Sequence, residues 1–228
     1  MSATPTAPAL WSLPDPIPLR FATERVVLRA WDAADAAALW MAVDESRPTL
    51  HPWLPWARED NLSIAQTHHT IERFRRDLNK GAFDAGRLNL VVGVFDAGSG
   101  RVLGGTGFHT FRPAAHQAEI GYWVRSSDRG RGVCTHATAA IISWAFTAPE
   151  RGGWGLRRVE IVCAAGNAPS SGVCERLGLR QESRSQGDRW VDGRGWDDTL
   201  KFAACADEWD AEAMRRREAS ADTHPGRG

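Results

Sequence analysis

The chain has 228 residues and is 43% hydrophobic, which is enough for a core in one domain or two small ones. Its 28 basic and 28 acidic side chains balance, which argues against a partner such as nucleic acid or a membrane surface, because both attract a basic excess. No apolar run approaches the length of a membrane span. The four cysteines lack disulfide or metal-ligand spacing, so we expect no metal and a cytoplasmic location.

The two ends of the chain differ in composition from the rest. Residues 1–19 contain five prolines and no basic side chain, which predicts a flexible proline- and alanine-rich arm rather than a secretory signal. Residues 20–209 are expected to form the folded domain. Residues 210–228 are expected to hold the end of a last helix and a disordered polar tail.

The first predicted elements are a strand and two helices. Arg25–Ala30 has the pattern of a strand, and Asp32 is a predicted N-cap for a helix over 36–44. A second helix is predicted to begin near Ser63, which resembles a capping box with Gln66. The residues of its expected apolar stripe are Ile64, Ile71, Phe74 and Leu78.

The later elements alternate between strands and helices. They are predicted as strands over 88–95, 101–111 and 116–124, a helix over 133–146, a strand over 158–163, a short helix over 170–177, two strands around a turn at 191–195 and a helix over 207–217. The three successive strands are joined by turns and are therefore expected to be antiparallel. The order predicts an α+β domain with a single mixed central sheet flanked by helices.

A glycine-rich turn over 129–134 precedes the helix at 133–146. Gly130 and Gly132 allow backbone angles that other residues avoid, and they let a ligand approach closely. The free N–H groups at a helix N-terminus favour an anion, so the segment outlines a pyrophosphate site. The dinucleotide fingerprint fails because Thr135 stands at its third glycine, and the chain has no P-loop ending. From these residues alone, a plain surface turn explains the glycines equally well.

Five segments taken together resemble the RimJ/RimL branch of the GNAT superfamily of N-acetyltransferases. They cover most of the chain between residues 20 and 209 and lie at 23–29, 51–55, 119–124, 158–161 and 167–179. The turn also resembles that family's acetyl-CoA pyrophosphate loop. Two departures are Cys134, where glycine or alanine is usual, and Leu179, where phenylalanine is usual.

The resemblance implies the GNAT fold, with helices on both faces of its sheet, and acetyl-CoA as the donor. It implies direct attack of an amine on the thioester in a ternary complex, and a possible homodimer. The residues expected to bind the coenzyme are Trp123, Val124, Arg125, Arg129, Gly130, Arg131, Gly132, Val133, Cys134, Thr135, Asn167 and Ser170.

The attacking amine must be neutral, and free α-amines have a pKa of about 8 against about 10.4 for lysine. Glu119 is the leading candidate for the general base. The alternative is that Glu119 only pairs with an arginine of a neighbouring strand. Both interpretations stay open on the sequence.

The departing thiolate needs a proton or a hydrogen bond. Many members of the superfamily use a tyrosine late in the chain, but the single tyrosine here, Tyr122, lies in a middle strand. The resemblance implies that Ser170 takes this role, although its position near a helix start also fits an N-cap.

Two further motifs concern nucleophile and acceptor. A histidine can activate a thiol, so Cys134 and His136 could act as a nucleophilic pair. Residues two apart on a helix point in different directions, however, so we do not expect these side chains to meet. Trp53 and Trp56 lie in a proline-stiffened segment that fits either an acceptor-pocket wall or a packing loop.

Two functions from different classes compete. The first is an acetyl-CoA-dependent N-acetyltransferase whose acceptor is a protein N-terminus or a small amine such as an amino acid, polyamine or antibiotic. The second is a noncatalytic acyl-CoA-binding or regulatory domain on the same fold, because a fold does not fix a function. The presence of Glu119, Asn167 and Ser170 at motif positions favours the enzyme.

Overall fold

Eight strands form one sheet in the computed structural model, which describes residues 9–84, 86 and 88–211. The strands are β1 (Arg20–Ala22), β2 (Val26–Ala30), β3 (Leu90–Asp96), β4 (Val102–Arg112), β5 (Gln117–Val124), β6 (Arg158–Ala164), β7 (Arg180–Val191) and β8 (Gly195–Cys205). Their spatial order is β1-β2-β3-β4-β5-β6-β8-β7. Only β5 and β6 run parallel among these neighbours, so the predicted mixed sheet is confirmed.

Six helices surround the sheet in the described part of the chain. They are α1 (Ala36–Leu50), α2 (Trp56–Glu59), α3 (Ile64–Arg76), α4 (Lys80–Asp84), α5 (Val133–Phe146) and α6 (Ala168–Arg176). Local chemistry explains several boundaries. The side chain of Ser63 accepts a hydrogen bond from Gln66 N–H and caps α3, and Gly178, at φ +69°, lies just after the end of α6.

The helices lie on both faces of the sheet. On one face, side chains of α5 and α6 pack against alternate residues of the central strands, with Phe108, Trp144 and Trp154 fully buried. On the other face, α1 and α3 cover a smaller cluster around Trp31 and Phe95. Because successive strand residues point to opposite faces, one sheet supports two cores. The predicted GNAT-type arrangement is therefore confirmed.

Helix α1 is longer than the sequence predicted. It continues past residue 44 to Leu50 although Pro48 lies in its last turn. A proline near a helix end removes only one backbone hydrogen bond. Burial of Ser46 and Leu50, together with a bond from Ser46 Oγ to the Ala42 carbonyl, accompanies the extension.

The expected apolar stripe of α3 is partly wrong. Ile64 is 47% exposed, whereas Thr67, Thr70 and Ile71 are buried. Thr67 can be buried because its hydroxyl donates to the carbonyl of Ser63. Gln66 bonds the N–H of Leu62 instead of Ser63, so the capping box is also displaced by one residue.

The strand β1 and the short helices α2 and α4 were not predicted. The predicted last helix over 207–217 lies largely outside the described residues. Its described part begins as a turn, and helix begins only at Ala211. Among the residues described, no helix has both the length and the apolarity needed to cross a membrane.

The expected flexible arm is packed against the domain at Trp11. Its side chain is 6% exposed, and its Nε1 donates to the carbonyl of Trp154 at 2.8 Å. Its ring stacks on Phe111 at 5.2 Å between centroids, and its backbone N–H donates to the carbonyl of Pro113. Trp11 therefore belongs to the core, so the prediction of a loose segment is wrong at this residue, and residues 1–8 of the predicted arm lie outside the described residues.

We expect Trp11→Ala to lower the free energy of unfolding by about 3 kcal/mol or more, because removal of a buried aromatic side chain leaves a cavity. Urea unfolding followed by tryptophan fluorescence measures this difference. Leu10→Ala is the control, because Leu10 is 71% exposed and its truncation should change little. Equal stabilities of the two variants would show that the arm is not part of the cooperative core.

Candidate active site

The site is built on a split in the middle of the sheet. Parallel β5 and β6 pair only from Gln117–Arg158 to Glu119–Glu160, and no pairing follows. Beyond that point β5 stays paired with β4 as far as Val124, and β6 stays paired with β8 as far as Ala164. The two strands therefore separate like the arms of a V. A cavity of about 830 Å³ opens between residues 120–124 and 161–164.

The glycine-rich turn forms one end of this cavity. Gly130 and Gly132 have φ values of +75° and +72°, and a Cβ at either position would meet no atom within 4 Å. Gly132 is the N-cap of α5 and supplies no side-chain cap, so the helix N-terminus is left for another hydrogen-bond acceptor. These features fit an anion such as a pyrophosphate.

Most of the predicted coenzyme residues line the cavity. They are Trp123, Val124, Arg129, Gly130, Gly132, Val133, Cys134, Thr135, Asn167 and Ser170. Arg176 was not predicted but lines the same end and donates to Thr135 Oγ1 at 3.2 Å. Among the described residues, neither Arg129 nor Arg176 forms an ion pair with a carboxylate, so both charges are available to a ligand.

Two predicted residues lie outside the cavity wall. Arg125 donates from its side chain to Glu45 at 2.6 Å and from its backbone to the carbonyl of Leu103 at 2.8 Å, so its donors are directed away. Arg131 is 70% exposed on its side chain and lies 3.8 Å from Asp128. The sequence predicted that Arg125, Arg129 and Arg131 all add positive charge at the turn. The side chain of Arg125 forms an ion pair with Glu45 instead.

Ser170 and Tyr122 meet in the middle of the cavity. Ser170 Oγ donates to Tyr122 Oη at 3.2 Å, and Tyr122 Oη donates to the carbonyl of Ser170 at 3.0 Å. Burial raises the pKa of Tyr122, so the phenol stays protonated. Asn167, not Ser170, is the N-cap of α6, so the alternative of Ser170 as a helix cap is wrong.

Cysteine thiols surround this hydroxyl pair. Cys174 Sγ lies 3.6 Å from Tyr122 Oη, and Cys163 lies in the cavity wall together with Ser170. Burial raises the pKa of Cys134 and of Cys174 to about 12, so both are neutral thiols. His136 Nε2 lies 2.8 Å from Thr23 Oγ1, on another side of α5 from the cavity. These observations fit the expectation that Cys134 and His136 do not form a nucleophilic pair.

Glu119 lies at the point where the strands separate, opposite Glu160. It is half-buried and is not part of the cavity wall. Burial raises its pKa, the charge of Glu160 raises it further, and Arg189, Lys201 and Arg112 act in the opposite direction. Within the described chain Glu119 forms no ion pair, so the alternative of simple pairing with an arginine receives no support.

The other end of the cavity is aromatic. Trp53 lines it, and the guanidinium of Arg194 lies 4.8 Å from the Trp53 ring centroid. Trp56 does not line it and packs edge-on against Trp123 at 5.9 Å, so of the two predicted residues only Trp53 is a wall residue.

The hairpin of β7 and β8 supplies the rest of this end. Sequence reasoning missed Arg58, Arg189, Trp190 and Val191, which all line the cavity. They come from segments outside the recognised motifs, so no local signal marked them. Asp192, in the turn of the hairpin, binds Arg58 at 3.1 Å and holds this turn against the segment at 51–58. In the part of the chain that is described, no group of three or more histidine, cysteine or acidic residues is placed to hold a metal ion.

Comparisons with known proteins agree with this geometry. The acetyltransferase (GNAT) domain profile matches residues 25–180. A putative ribosomal N-acetyltransferase of Bacillus subtilis, YdaF, is 30% identical over 194 residues, which cover 83% of this chain and 96% of that protein. The [ribosomal protein uS5]-alanine N-acetyltransferase of Escherichia coli is 22% identical, covering 84% of this chain and 93% of that protein.

Solved structures give the same result. Mycobacterium smegmatis RimJ in complex with CoA-disulfide superposes with a TM-score of 0.71 at 28% identity, over 86% of this chain and 89% of that one. Because these relatives are named as N-acetyltransferases, the alternative of a noncatalytic domain is not supported. The chain belongs to the RimJ/RimL-like branch of the GNAT superfamily and is an N-acetyltransferase.

Proposed function

We propose that this protein transfers the acetyl group of acetyl-CoA to the α-amine of a peptide or protein N-terminus. The observation that carries the proposal is one cavity that joins the uncapped N-terminus of α5, the half-buried hydroxyl pair of Ser170 and Tyr122, and the aromatic side chains of Trp53 and Trp190. The relatives named as ribosomal-protein N-acetyltransferases support a peptide acceptor. A small amine is the competing acceptor.

The coenzyme end is proposed to hold a pyrophosphate. The uncapped N–H groups of α5, together with Arg129 and Arg176, would bind it. These donors are fixed by the helix and the turn, so they need little rearrangement when a ligand arrives. The backbone of Trp123 and Val124 and the amide of Asn167 would hold the pantetheine arm in the gap between β5 and β6. When bound, acetyl-CoA supplies an acyl thioester as the electrophile.

Ser170 is proposed to donate the proton or hydrogen bond that the leaving thiolate needs. The thiols of Cys134 and Cys174 are neutral, and a thiol is a weaker hydrogen-bond donor than the hydroxyl of Ser170, which lies in the cavity wall. Tyr122 would position Ser170 through the bond between their hydroxyls. The sequence excluded Tyr122 as a direct donor because of its strand position, and we assign it only this positioning role.

Glu119 is proposed to remove a proton from the attacking amine. Its raised pKa makes it a stronger base than an ordinary glutamate. Because Glu119 lies behind the cavity wall, the proton would pass through an intervening water. A free α-amine, with a pKa of about 8, needs less help from this base than a lysine side chain does.

The proposal is tested by thiol release from acetyl-CoA with a panel of peptides and small amines. We expect turnover with peptides that carry a free N-terminus, none with the same peptides blocked at that amine, and a mass increase of one acetyl group. Tight coenzyme binding without turnover on any amine would contradict the proposal. Turnover confined to small amines would assign the competing acceptor.

Ser170→Ala should lower kcat by about 100-fold or more, because general acid groups contribute about 10²- to 10⁴-fold, with little change in acetyl-CoA affinity. Ser171→Ala is the control, because Ser171 is buried and bonds the Ala168 carbonyl outside the cavity wall. Unchanged kcat in Ser170→Ala would remove Ser170 from this role.

A change of leaving group separates proton donation from a structural effect. A selenolate is less basic than a thiolate, so the losses in Ser170→Ala and Tyr122→Phe should shrink when the donor is acetyl-selenocoenzyme A. Equal losses with both donors would mean that the two hydroxyls only maintain the shape of the cavity. The measurement is kcat at saturating donor and peptide.

Glu119→Gln should remove the limb that Glu119 contributes to the acidic side of the profile of kcat/KM against pH. Protonation of the substrate amine, with a pKa of about 8, gives a second limb that should stay in both proteins. In the wild-type protein, activity should fall further as the pH drops through the pKa of Glu119, because the protonated acid is no longer a base. This further fall should lie above the ordinary glutamate range, because burial and Glu160 raise the pKa more than Arg189, Lys201 and Arg112 lower it. Profiles of the same shape in the wild-type protein and in Glu119→Gln would overturn the assignment.

A further inference from the structure

One guanidinium in the cavity wall forms no ion pair with any acidic side chain that the structure describes. Arg189 on β7 lines the cavity beside Trp190 and Val191. Its Nε lies 3.4 Å from Thr199 Oγ1, which is a long and weak hydrogen bond. Among residues 9–84, 86 and 88–211, no carboxylate forms an ion pair with it. The charge of Arg189 is therefore available to a ligand.

The other arginines of the cavity wall are already accounted for. Arg58 is paired with Asp192 at 3.1 Å. Arg129 and Arg176 lie at the glycine-rich turn, where a pyrophosphate is proposed to bind. Arg189 is the remaining arginine of the described cavity wall, and it lies on β7, whose hairpin turn is held against the segment at 51–58 by Asp192 and Arg58.

Arg189 lines the same cavity as Ser170, the residue proposed to assist the leaving thiolate. An acceptor whose amine reaches the thioester in this cavity can also place an anionic group against Arg189. The charge of Arg189 also lowers the pKa of Glu119, the proposed base. The amine and the anion would then belong to the same small or terminal part of the acceptor.

A carboxylate is the anion that fits these neighbours. The planar guanidinium can bind a carboxylate through two parallel hydrogen bonds, and partial burial strengthens such charge-assisted bonds. Trp53 and Trp190, which line the same cavity, supply flat apolar surface for the carbon chain that carries the carboxylate.

We propose that Arg189 selects acceptors that carry a carboxylate close to the amine. The inference rests on the proposed N-acetyltransferase function and adds the chemical class of its acceptor. Two sources share this chemistry. The first is a peptide N-terminus with an acidic side chain at its first or second residue, and the second is a free amino acid.

The test compares matched acceptors with the full-length protein. Peptides that begin Ala-Glu and Ala-Gln differ only in charge at nearly constant shape, and free glutamate is compared with glutamine α-amide. We expect the wild-type protein to prefer the acidic member of a pair by about tenfold or more in kcat/KM, as expected for a charge-assisted contact. Preference within the peptide pair assigns the peptide source, and preference confined to the free compounds assigns the amino acid.

Variants on β7 locate the origin of the preference. Arg189→Met should reduce the ratio between acidic and neutral acceptors to about one, and Arg189→Glu should favour a peptide that begins Ala-Lys. Arg184→Met is the matched control, because Arg184 lies on the same strand but bonds Asp198 and does not line the cavity. It should keep the wild-type ratio.

The outcomes separate this inference from the proposed function. If amines are acetylated without preference for a carboxylate, the inference is overturned while the function stands. The same holds if Arg189→Met and Arg184→Met keep the same ratio. If no amine is acetylated although acetyl-CoA binds, the proposed function itself fails.

Discussion

The rest of the site depends on the separation of β5 from β6 after three residue pairs. Each strand keeps its other neighbour, so neither can close the gap: β5 remains on β4 and β6 remains on β8. Backbone groups that face the gap then lack a strand partner, and water or a ligand must satisfy them. The same separation puts α5 and α6 at the opening, because each helix is connected to one of the two diverging strands. A sheet that stayed paired to the end would have no cavity.

Charge at the point of separation explains why Glu119 differs from its neighbour. Glu119 and Glu160 are paired in register, and the charge of Glu160 raises the pKa of Glu119. The nearby cationic side chains form ion pairs with Glu160. Its carboxylate lies 2.9 Å from Arg158, 3.6 Å from Lys201 and 3.7 Å from Arg112. Lys201 and Arg112 form no ion pair with Glu119 in the described structure and lower its pKa only through their more distant charge. The pKa of Glu119 therefore stays raised. Glu160 thus stabilises the junction of the strands through its ion pairs, and Glu119 keeps the raised pKa that suits a base.

The sequence predicted what local patterns determine and missed what distant contacts determine. The glycines at 130 and 132 and the helix that follows form a local motif, and the structure has them as predicted. Trp11 was assigned to a loose arm because proline-rich sequence has no periodicity, yet it bonds Trp154, 143 residues away. Tyr122 meets Ser170 across 48 residues, and Arg189 belongs to a strand without a recognised motif. Such pairs arise from packing of the whole sheet, so no window of sequence contains both members.

The cavity is electrically uneven, and this limits how it can stabilise a leaving group. Three arginines in its wall form no ion pair within the described part of the chain: Arg129 and Arg176 at the glycine-rich turn, and Arg189 on β7. Between them lie hydroxyls and buried thiols, and burial keeps Tyr122 and Cys134 in their neutral forms. A thiolate formed beside Ser170 would therefore meet neutral donors rather than a contacting cation. Hydrogen bonding or proton transfer is what this part of the cavity can supply, and we assign the donor role to the Ser170 hydroxyl, which is bonded to Tyr122 in the cavity wall.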